Sequence, residues 1–267
     1  MPAWTQTGSS IIFLPYTLEQ ALAGLADAGF ENVEIGAVKD FLEHLDPDNL
    51  GPAEVANCQR LLDQHGLTCV SMSGHAPLHL DIGRERLTNV LRAGRELGIS
   101  VLNTFTGDAE TEEQIDAFVR NVNAVAAEAE AAGIRLCIET DSNLLPTAKV
   151  GIDILERIDN PWVGINYDPG NVIYYTEAVP EEDLELALPY LGHVHLKDKR
   201  GGKGVADFPP LGDGDIDIPH ILRTLDAAGY AGPVSMEIEF TDYQWPPYEE
   251  CISEARRAKA YWDGIVL

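Results

Sequence analysis

Residues 192–198 read Gly-His-Val-His-Leu-Lys-Asp, and this short segment organises the interpretation of the whole chain. Strand alternation places His193, His195 and Lys197 on one face and the apolar side chains on the other. A strand with that much polar side chain on one face requires water, a metal or a substrate there. The pattern therefore predicts that this strand contributes to a functional site.

Three other strand-like segments end in a carboxylate. Residues 135–139 (RLCIE) and 163–168 (VGINYD) precede the histidine segment, and residues 233–237 (PVSME) follow it. Four successive predicted strands therefore present a polar side chain at or near their carboxyl ends. In chain order these side chains are Glu139, Asp168, His195 and Glu237.

Short apolar segments alternate with amphipathic helical patterns along the chain. Residues 17–20 and 111–114 match capping boxes that begin helices, and Gly29 and Gly133 end those helices. Predicted strands cover residues 10–14, 32–35, 68–72, 100–105, 135–139, 163–168, 192–198 and 234–237. Predicted helices cover 17–29, 53–65, 84–97, 111–133, 150–158, 180–189, 218–228 and 255–262. Eight such pairs without a doubly wound fingerprint predict an α/β fold, a (β/α)₈ TIM barrel that occupies residues 1–267 as a single domain.

Composition limits the functions that the barrel can serve. The 267 residues are 45% hydrophobic, enough for one large core, and 18 basic against 44 acidic residues give a net charge of -26. A polyanion would meet a repulsive field, so nucleic acid and membrane surfaces are not expected partners. We interpret the acidic excess as a contribution to solubility.

Cysteine usage and the amino terminus indicate the compartment. The four cysteines are scattered without a Cys-x-x-Cys pair, which favours buried free thiols over disulfides or a zinc site. The start of the chain lacks the pattern of a signal peptide, and no window resembles a membrane span. We therefore expect a cytoplasmic protein.

The barrel architecture turns the four strand-end residues into a candidate site. Side chains at the carboxyl ends of barrel strands converge at one mouth. An isolated carboxylate there is more often a helix cap or an ion pair, but three carboxylates and one imidazole on consecutive strands would repel one another without a cation. This oxygen-rich set suits Mn²⁺ first, and Mg²⁺ or Co²⁺ as alternatives, better than Zn²⁺.

Five motifs add a family resemblance. They are CIET (137–140), YDPGN (167–171), HVHLKD (193–198), PLGDGDID (210–217) and GYAGPVSME (229–237). Their order resembles the xylose isomerase-like TIM barrel superfamily of sugar phosphate isomerases and epimerases, over nearly the whole chain from residue 29 onward. The resemblance implies a divalent cation held by Glu, Asp, His and Glu, which here are Glu139, Asp168, His195 and Glu237. In the ketose 3-epimerase branch, the residues equivalent to Glu139 and Glu237 also exchange the substrate proton from opposite faces.

The expected chemistry follows from that set. A proton next to a carbonyl is removed by one carboxylate and returned by a second carboxylic acid, while a cation stabilises the enediolate. We expect a metal-dependent isomerase or epimerase for a ketose or keto-polyol, with Glu139 and Glu237 as the catalytic pair. A metal-dependent dehydratase or lyase on a keto-inositol or a 3-keto-glycoside is the alternative, and a non-catalytic sugar-binding protein is a third reading. Few histidines and the acidic surface disfavour the endonucleases of the superfamily.

Four other residues are candidates for substrate binding: Glu34, His75, Asn171 and Lys197. Glu34 could orient a substrate hydroxyl or His75, or serve as a cap or in an ion pair. Asn171 stands where many relatives have a substrate-contacting histidine, which affects the substrate more than the metal. Glu239 competes with Glu237 as the fourth ligand. The expected partner is a small sugar or cyclic polyol, and a homo-oligomer is possible.

Overall fold

The computed structural model describes residues 2–267. Eight parallel strands form a closed barrel in the order β1-β2-β3-β4-β5-β6-β7-β9, which confirms the predicted (β/α)₈ TIM barrel. A two-stranded sheet, β8 with β10, lies outside the barrel. The strands are β1 Thr5–Ser9, β2 Asn32–Gly36, β3 Thr68–Ser73, β4 Val101–Thr104, β5 Arg135–Glu139, β6 Val163–Tyr167, β7 Leu191–Lys197, β8 Asp207–Phe208, β9 Pro233–Glu237 and β10 Phe240–Thr241.

The helices surround the barrel and follow its strands. Their bounds are α1 Leu18–Asp27, α2 Pro52–His65, α3 Asp81–Leu97, α4 Glu112–Ala132, α5 Ala148–Ile158, α6 Pro169–Tyr175, α7 Pro180–Ala187, α8 Ile218–Ala227 and α9 Tyr248–Asp263. Both predicted capping boxes are present, with Thr17 before α1 and Thr111 before α4. Gly133 ends α4 in the left-handed region at φ 71°, where a residue without a Cβ is favoured.

The predicted first strand is wrong. Residues 10–13 form a 3-10 helix, and the strand is the preceding, more polar segment Thr5–Ser9. The apolar run owes its composition to burial in the core, where Phe13 lies so close to Gly24 of α1 that a Cβ on that glycine would clash with the ring. Gly8 in the true strand allows the same close approach by Leu25 and Phe30.

Two features of the carboxyl-terminal half were missed. Helix α6 begins directly after Asp168, which caps it, and has a proline in its first turn; an Asp-Pro start is a recognised helix signal. The glycine-rich loop after β7 contains β8, which pairs antiparallel with β10 through Phe240 and Phe208. This pairing ties the loop after β7 to the segment after β9.

The cysteine prediction is confirmed, since all four thiols are free and buried. Within residues 2–267, no helix combines the length and hydropathy that a membrane crossing would require.

Candidate metal centre and active site

Four polar side chains from neighbouring strands meet inside the carboxyl-terminal mouth of the barrel. One potential ligand atom from each residue lies within 4.8 Å of those of the other three, and all four residues are buried. They are Glu139, Asp168, His195 and Glu237. Strands β5, β6, β7 and β9 are consecutive in the barrel, so their register brings together residues nearly a hundred positions apart in sequence.

Asp168 is oriented by the start of α6. Its Oδ1 accepts a hydrogen bond from the backbone N–H of Asn171 at 3.0 Å, and its own N–H donates to Oγ1 of Thr140 at 2.8 Å. Its Oδ2 is buried and accepts no well-oriented hydrogen bond from the described residues, although Nζ of Lys197 lies 2.7 Å away. The helix cap therefore occupies Oδ1 and leaves Oδ2 to face a cationic group, which in this structure is the ammonium of Lys197.

Glu139 is the most heavily contacted carboxylate of the group. Its Oε1 lies 2.8 Å from Nδ1 of His195 and accepts a hydrogen bond from Nδ2 of Asn171 at 3.2 Å. Its Oε2 contacts Nε2 of His75, whose Nδ1 lies 2.7 Å from Oγ of Ser73. Two of the residues predicted to bind substrate, His75 and Asn171, thus contact a predicted catalytic carboxylate directly.

Lys197 is a buried ammonium among carboxylates. Its Nζ lies 2.7 Å from Asp168, 3.3 Å from Glu237 and 3.4 Å from Glu239. Lys197 and Glu237 are register partners on β7 and β9, so adjacent strands hold the pair together. Glu239 contacts Lys197 but does not belong to the group of four, which contains Glu237.

Burial and neighbouring charges shift the pKa values of Asp168, Glu139 and His195. Burial, together with the negative charges of Glu139 and Glu237, raises the pKa of Asp168 to about 8 despite the opposing effect of Lys197. Burial also acts to raise the pKa of Glu139, but His195 and His75 outweigh it and hold that pKa well below its usual range. Burial acts to lower the pKa of His195, but the negative charges of Glu237, Glu34 and Glu139 outweigh it and raise that pKa well above its usual value.

Glu34 lies beneath the group of four. Its Oε1 lies 2.7 Å from Nε2 of His195 and its Oε2 lies 3.0 Å from Nε2 of His193. Ser71 and Asn103 donate hydrogen bonds to Oε2 at 2.8 and 2.9 Å. Glu34 therefore pairs with two histidines, which agrees with the predicted ion-pair alternative, and it does not line the cavity where a substrate hydroxyl would lie. His193 is hydrogen-bonded in the core, with Nδ1 2.9 Å from Oδ1 of Asn166.

The donor set fits a hard divalent cation. Three carboxylates and one imidazole converge, and carboxylate-rich sets suit Mn²⁺ or Mg²⁺ better than the thiolate and imidazole sets of structural zinc. Lys197 alone offsets only part of the negative charge of Asp168, Glu237 and Glu239. Oδ2 of Asp168 accepts no well-oriented hydrogen bond and faces only the ammonium of Lys197, so a divalent cation would share this oxygen with Lys197.

A cavity of about 470 Å³ opens above these residues. Glu139, His195 and Glu237 line it together with His75, Asn171 and Lys197, but Glu34 and Asp168 do not. The loop between β2 and α2 also lines the cavity, which was not predicted from the sequence. That loop contributes Val38, Lys39, Phe41 and Leu42, and the unexplained cluster of apolar residues in a loop was the available signal.

The fold is a closed TIM barrel with a candidate metal-binding cluster of three carboxylates and one imidazole at its mouth. Residues 22–259 match the family model described as "Xylose isomerase-like TIM barrel". The chain belongs to this family.

Individual proteins resemble this chain only at low sequence identity. The chain is 27% identical over 183 residues to "Putative L-ribulose-5-phosphate 3-epimerase SgbU" of Escherichia coli (strain K12), covering 65% of this chain and 63% of that protein. It is 26% identical over 184 residues to "Inosose dehydratase" of Serratia proteamaculans (strain 568), covering 62% and 60%. The match therefore spans less than two thirds of the length of either relative.

A solved structure supports the fold over the full length. The D-allulose 3-epimerase of Methylomonas sp. superposes with a TM-score of 0.77 at 20% sequence identity, covering 100% of this chain and 99% of that chain. At this identity the likeness extends to the fold alone.

Proposed function

We propose that the protein is a divalent-metal-dependent isomerase or epimerase acting on a ketose or keto-polyol. The observation that carries the proposal is the convergence of Glu139, Asp168, His195 and Glu237 within 4.8 Å, next to a cavity of about 470 Å³. Glu139, Asp168, His195 and Glu237 would hold the ion, with Mn²⁺ as the first expectation and Mg²⁺ or Co²⁺ as alternatives. Relatives named as a sugar epimerase and an inosose dehydratase agree with substrates of this class.

The bound cation would act as a Lewis acid that stabilises negative charge developing on substrate oxygens. Proton transfer would be carried out by side chains of the protein. Glu139 and Glu237 come from β5 and β9 and both line the cavity. In this proposal, one of them takes the proton next to the carbonyl and the other returns one.

Neighbouring residues keep the two carboxylates in place. His75 and Asn171 contact the two oxygens of Glu139. Ser9 donates to Oε1 of Glu237 at 3.3 Å, and Lys197 donates to Oε2 at 3.3 Å. Each glutamate therefore has at least one polar partner at each oxygen, which restricts its orientation for proton transfer.

The deciding experiment combines the Mn²⁺-loaded protein with ketoses, keto-inositols and 3-keto-glycosides in D₂O. Deuterium entering the substrate without loss of a group supports the proposal. Glu139→Gln and Glu237→Gln should each lower exchange by about 10² to 10⁴-fold, while Glu185→Gln on α7 serves as a matched control. Full turnover by Glu237→Gln with metal still bound would contradict its role, and Glu239→Gln tests the competing assignment.

A dehydratase or lyase is the second candidate. The Serratia proteamaculans relative carries the name inosose dehydratase, and elimination begins with the same removal of a proton next to a carbonyl. The D₂O experiment separates the two, because elimination releases water or an alcohol from the neighbouring carbon.

A further inference from the structure

The candidate substrate cavity has two chemically different parts. The catalytic carboxylates, His195 and Lys197 form a polar end. Apolar and aromatic side chains also line the cavity, and we call this set the wall: Ile11, Val38, Phe41, Leu42, Pro77 and Phe105. The volume of about 470 Å³ is within the range of about 300–1,000 Å³ of pockets that enclose drug-sized ligands. One sugar ring at the polar end would leave the wall without a partner.

The wall is continuous with the catalytic end. The rings of Phe105 and His75 pack with their centroids 5.1 Å apart, and His75 contacts Glu139. A group lying on Phe105 would therefore be next to the reacting part of the substrate.

The outer part of the wall is rigid and exposed. Val38 and Leu42 exchange backbone hydrogen bonds of 2.9 and 3.0 Å, which close a tight turn around Phe41. Leu42 packs so closely on Gly36 that a Cβ there would collide with it. Phe41 is nevertheless 50% exposed, and an exposed aromatic ring on an ordered turn at a cavity is typical of a ligand contact.

The basic side chains of the cavity are already paired. Arg86 makes two contacts with Asp48, at 2.7 and 2.9 Å. Lys39 lies 3.2 Å from Glu43 and 3.1 Å from Asp46, and Lys197 is surrounded by carboxylates. The cavity therefore offers no unpaired Lys or Arg among the described residues to an anionic substituent, and its field favours an uncharged one.

We propose that the substrate is an uncharged sugar or cyclic polyol carrying an aryl substituent, with the ring at the carboxylates and the aryl group on the wall of Phe41 and Phe105. The proposal rests on the proposed function for the orientation of the polar ring. An aryl ring matches the flat, apolar surfaces of the wall and gains from their burial.

Calorimetric titration of the Mn²⁺-loaded protein with methyl and phenyl 3-keto-β-D-glucopyranoside tests this substrate class. These two uncharged probes differ only in the substituent. The phenyl compound should bind about tenfold tighter or more. Phe41→Ala should remove most of that preference, because it should weaken binding of the phenyl compound more than binding of the methyl compound. Tyr261→Ala, which truncates a 37% exposed aromatic outside the cavity, should retain the full preference.

Equal binding of the two probes, no binding of either, or an unchanged preference in Phe41→Ala would overturn the substrate class. Deuterium exchange measured in parallel with unsubstituted ketoses and with both probes reports on the proposed function separately. Exchange without a phenyl preference overturns only this inference. A phenyl preference with neither exchange nor elimination supports the aryl site and contradicts the proposed chemistry.

Discussion

Oε1 of Glu34 lies 2.7 Å from Nε2 of His195 beneath the cavity. The other ring nitrogen, Nδ1, lies 2.8 Å from Oε1 of Glu139. If Nε2 donates its hydrogen to Glu34 in the metal-bound state, the lone pair of Nδ1 would be available to the proposed cation between His195 and the carboxylates of Glu139, Asp168 and Glu237. A carboxylate behind a ligating imidazole fixes its tautomer and orientation.

Glu34→Gln should therefore weaken Mn²⁺ binding by about 10 to 100-fold, the usual effect of removing such an outer partner. The affinity can be measured by titration calorimetry and by the electron paramagnetic resonance signal of free Mn²⁺. Asp183→Asn is the matched control, because Asp183 is a buried carboxylate that caps α5 through Ala148 and Lys149. Unchanged Mn²⁺ affinity in Glu34→Gln would show that Glu34 acts only on packing.

Lys197→Met should destabilise the metal-free protein. The substitution leaves Asp168, Glu237 and Glu239 without their ammonium partner, and breaking a buried ion pair in this way costs about 3–5 kcal/mol. Urea unfolding in EDTA measures the loss, and added Mn²⁺ should recover more free energy in the variant than in the wild type. Lys203→Met, in the exposed loop, should stay within about 0.5 kcal/mol of the wild type. Equal stability of the two variants would contradict the role of Lys197.

His44 should make stability depend on pH. Its Nε2 lies 3.2 Å from the carbonyl oxygen of Phe13, its Nδ1 is buried without a partner among the described residues, and burial lowers its pKa from 6.5 to about 4. The folded state therefore favours the neutral ring. Its contribution is complete above pH 6.5 and is lost as the pH falls towards 4, because the unfolded state takes up the proton first.

Urea unfolding of the wild type and of His44→Gln at pH 7 and pH 4.5 measures that contribution. Between pH 7 and pH 4.5, the free energy of unfolding of the wild type should fall by about 2 kcal/mol more than that of the variant. His220→Gln, on the outer helix α8, should keep the wild-type dependence. If His44→Gln keeps the wild-type pH dependence of the free energy of unfolding, other groups cause the acid sensitivity.

Unphosphorylated substrates should be preferred over phosphorylated ones. Arg86 and Lys39 are paired with Asp48 and Asp46, so a phosphate would have to break those pairs and enter a negative cavity. The comparison of D-ribulose with D-ribulose 5-phosphate in the exchange assay, at fixed ionic strength, measures the preference. A higher kcat/KM for the phosphate would contradict it.

Much of the fold was predictable because local signals agreed with one another. The capping boxes at Thr17 and Thr111 and the glycine stop at Gly133 are short-range features, and all three are present in the structure. The prediction of the first strand was wrong because a run of apolar residues can be buried in a short 3-10 helix as well as in a strand. Helix α6 was missed although Asp168 and Pro169 form a helix start.

Strand alternation and the order of strand ends were sufficient to select Glu139, Asp168, His195 and Glu237, because both depend on the chain near each residue. Closure of the barrel decided the rest. It placed Glu34 of β2 against His195 of β7, and it brought Phe41 and Phe105 into the lining of one cavity. These contacts join segments far apart in sequence, so their distances follow from strand register and packing, which no local pattern encodes.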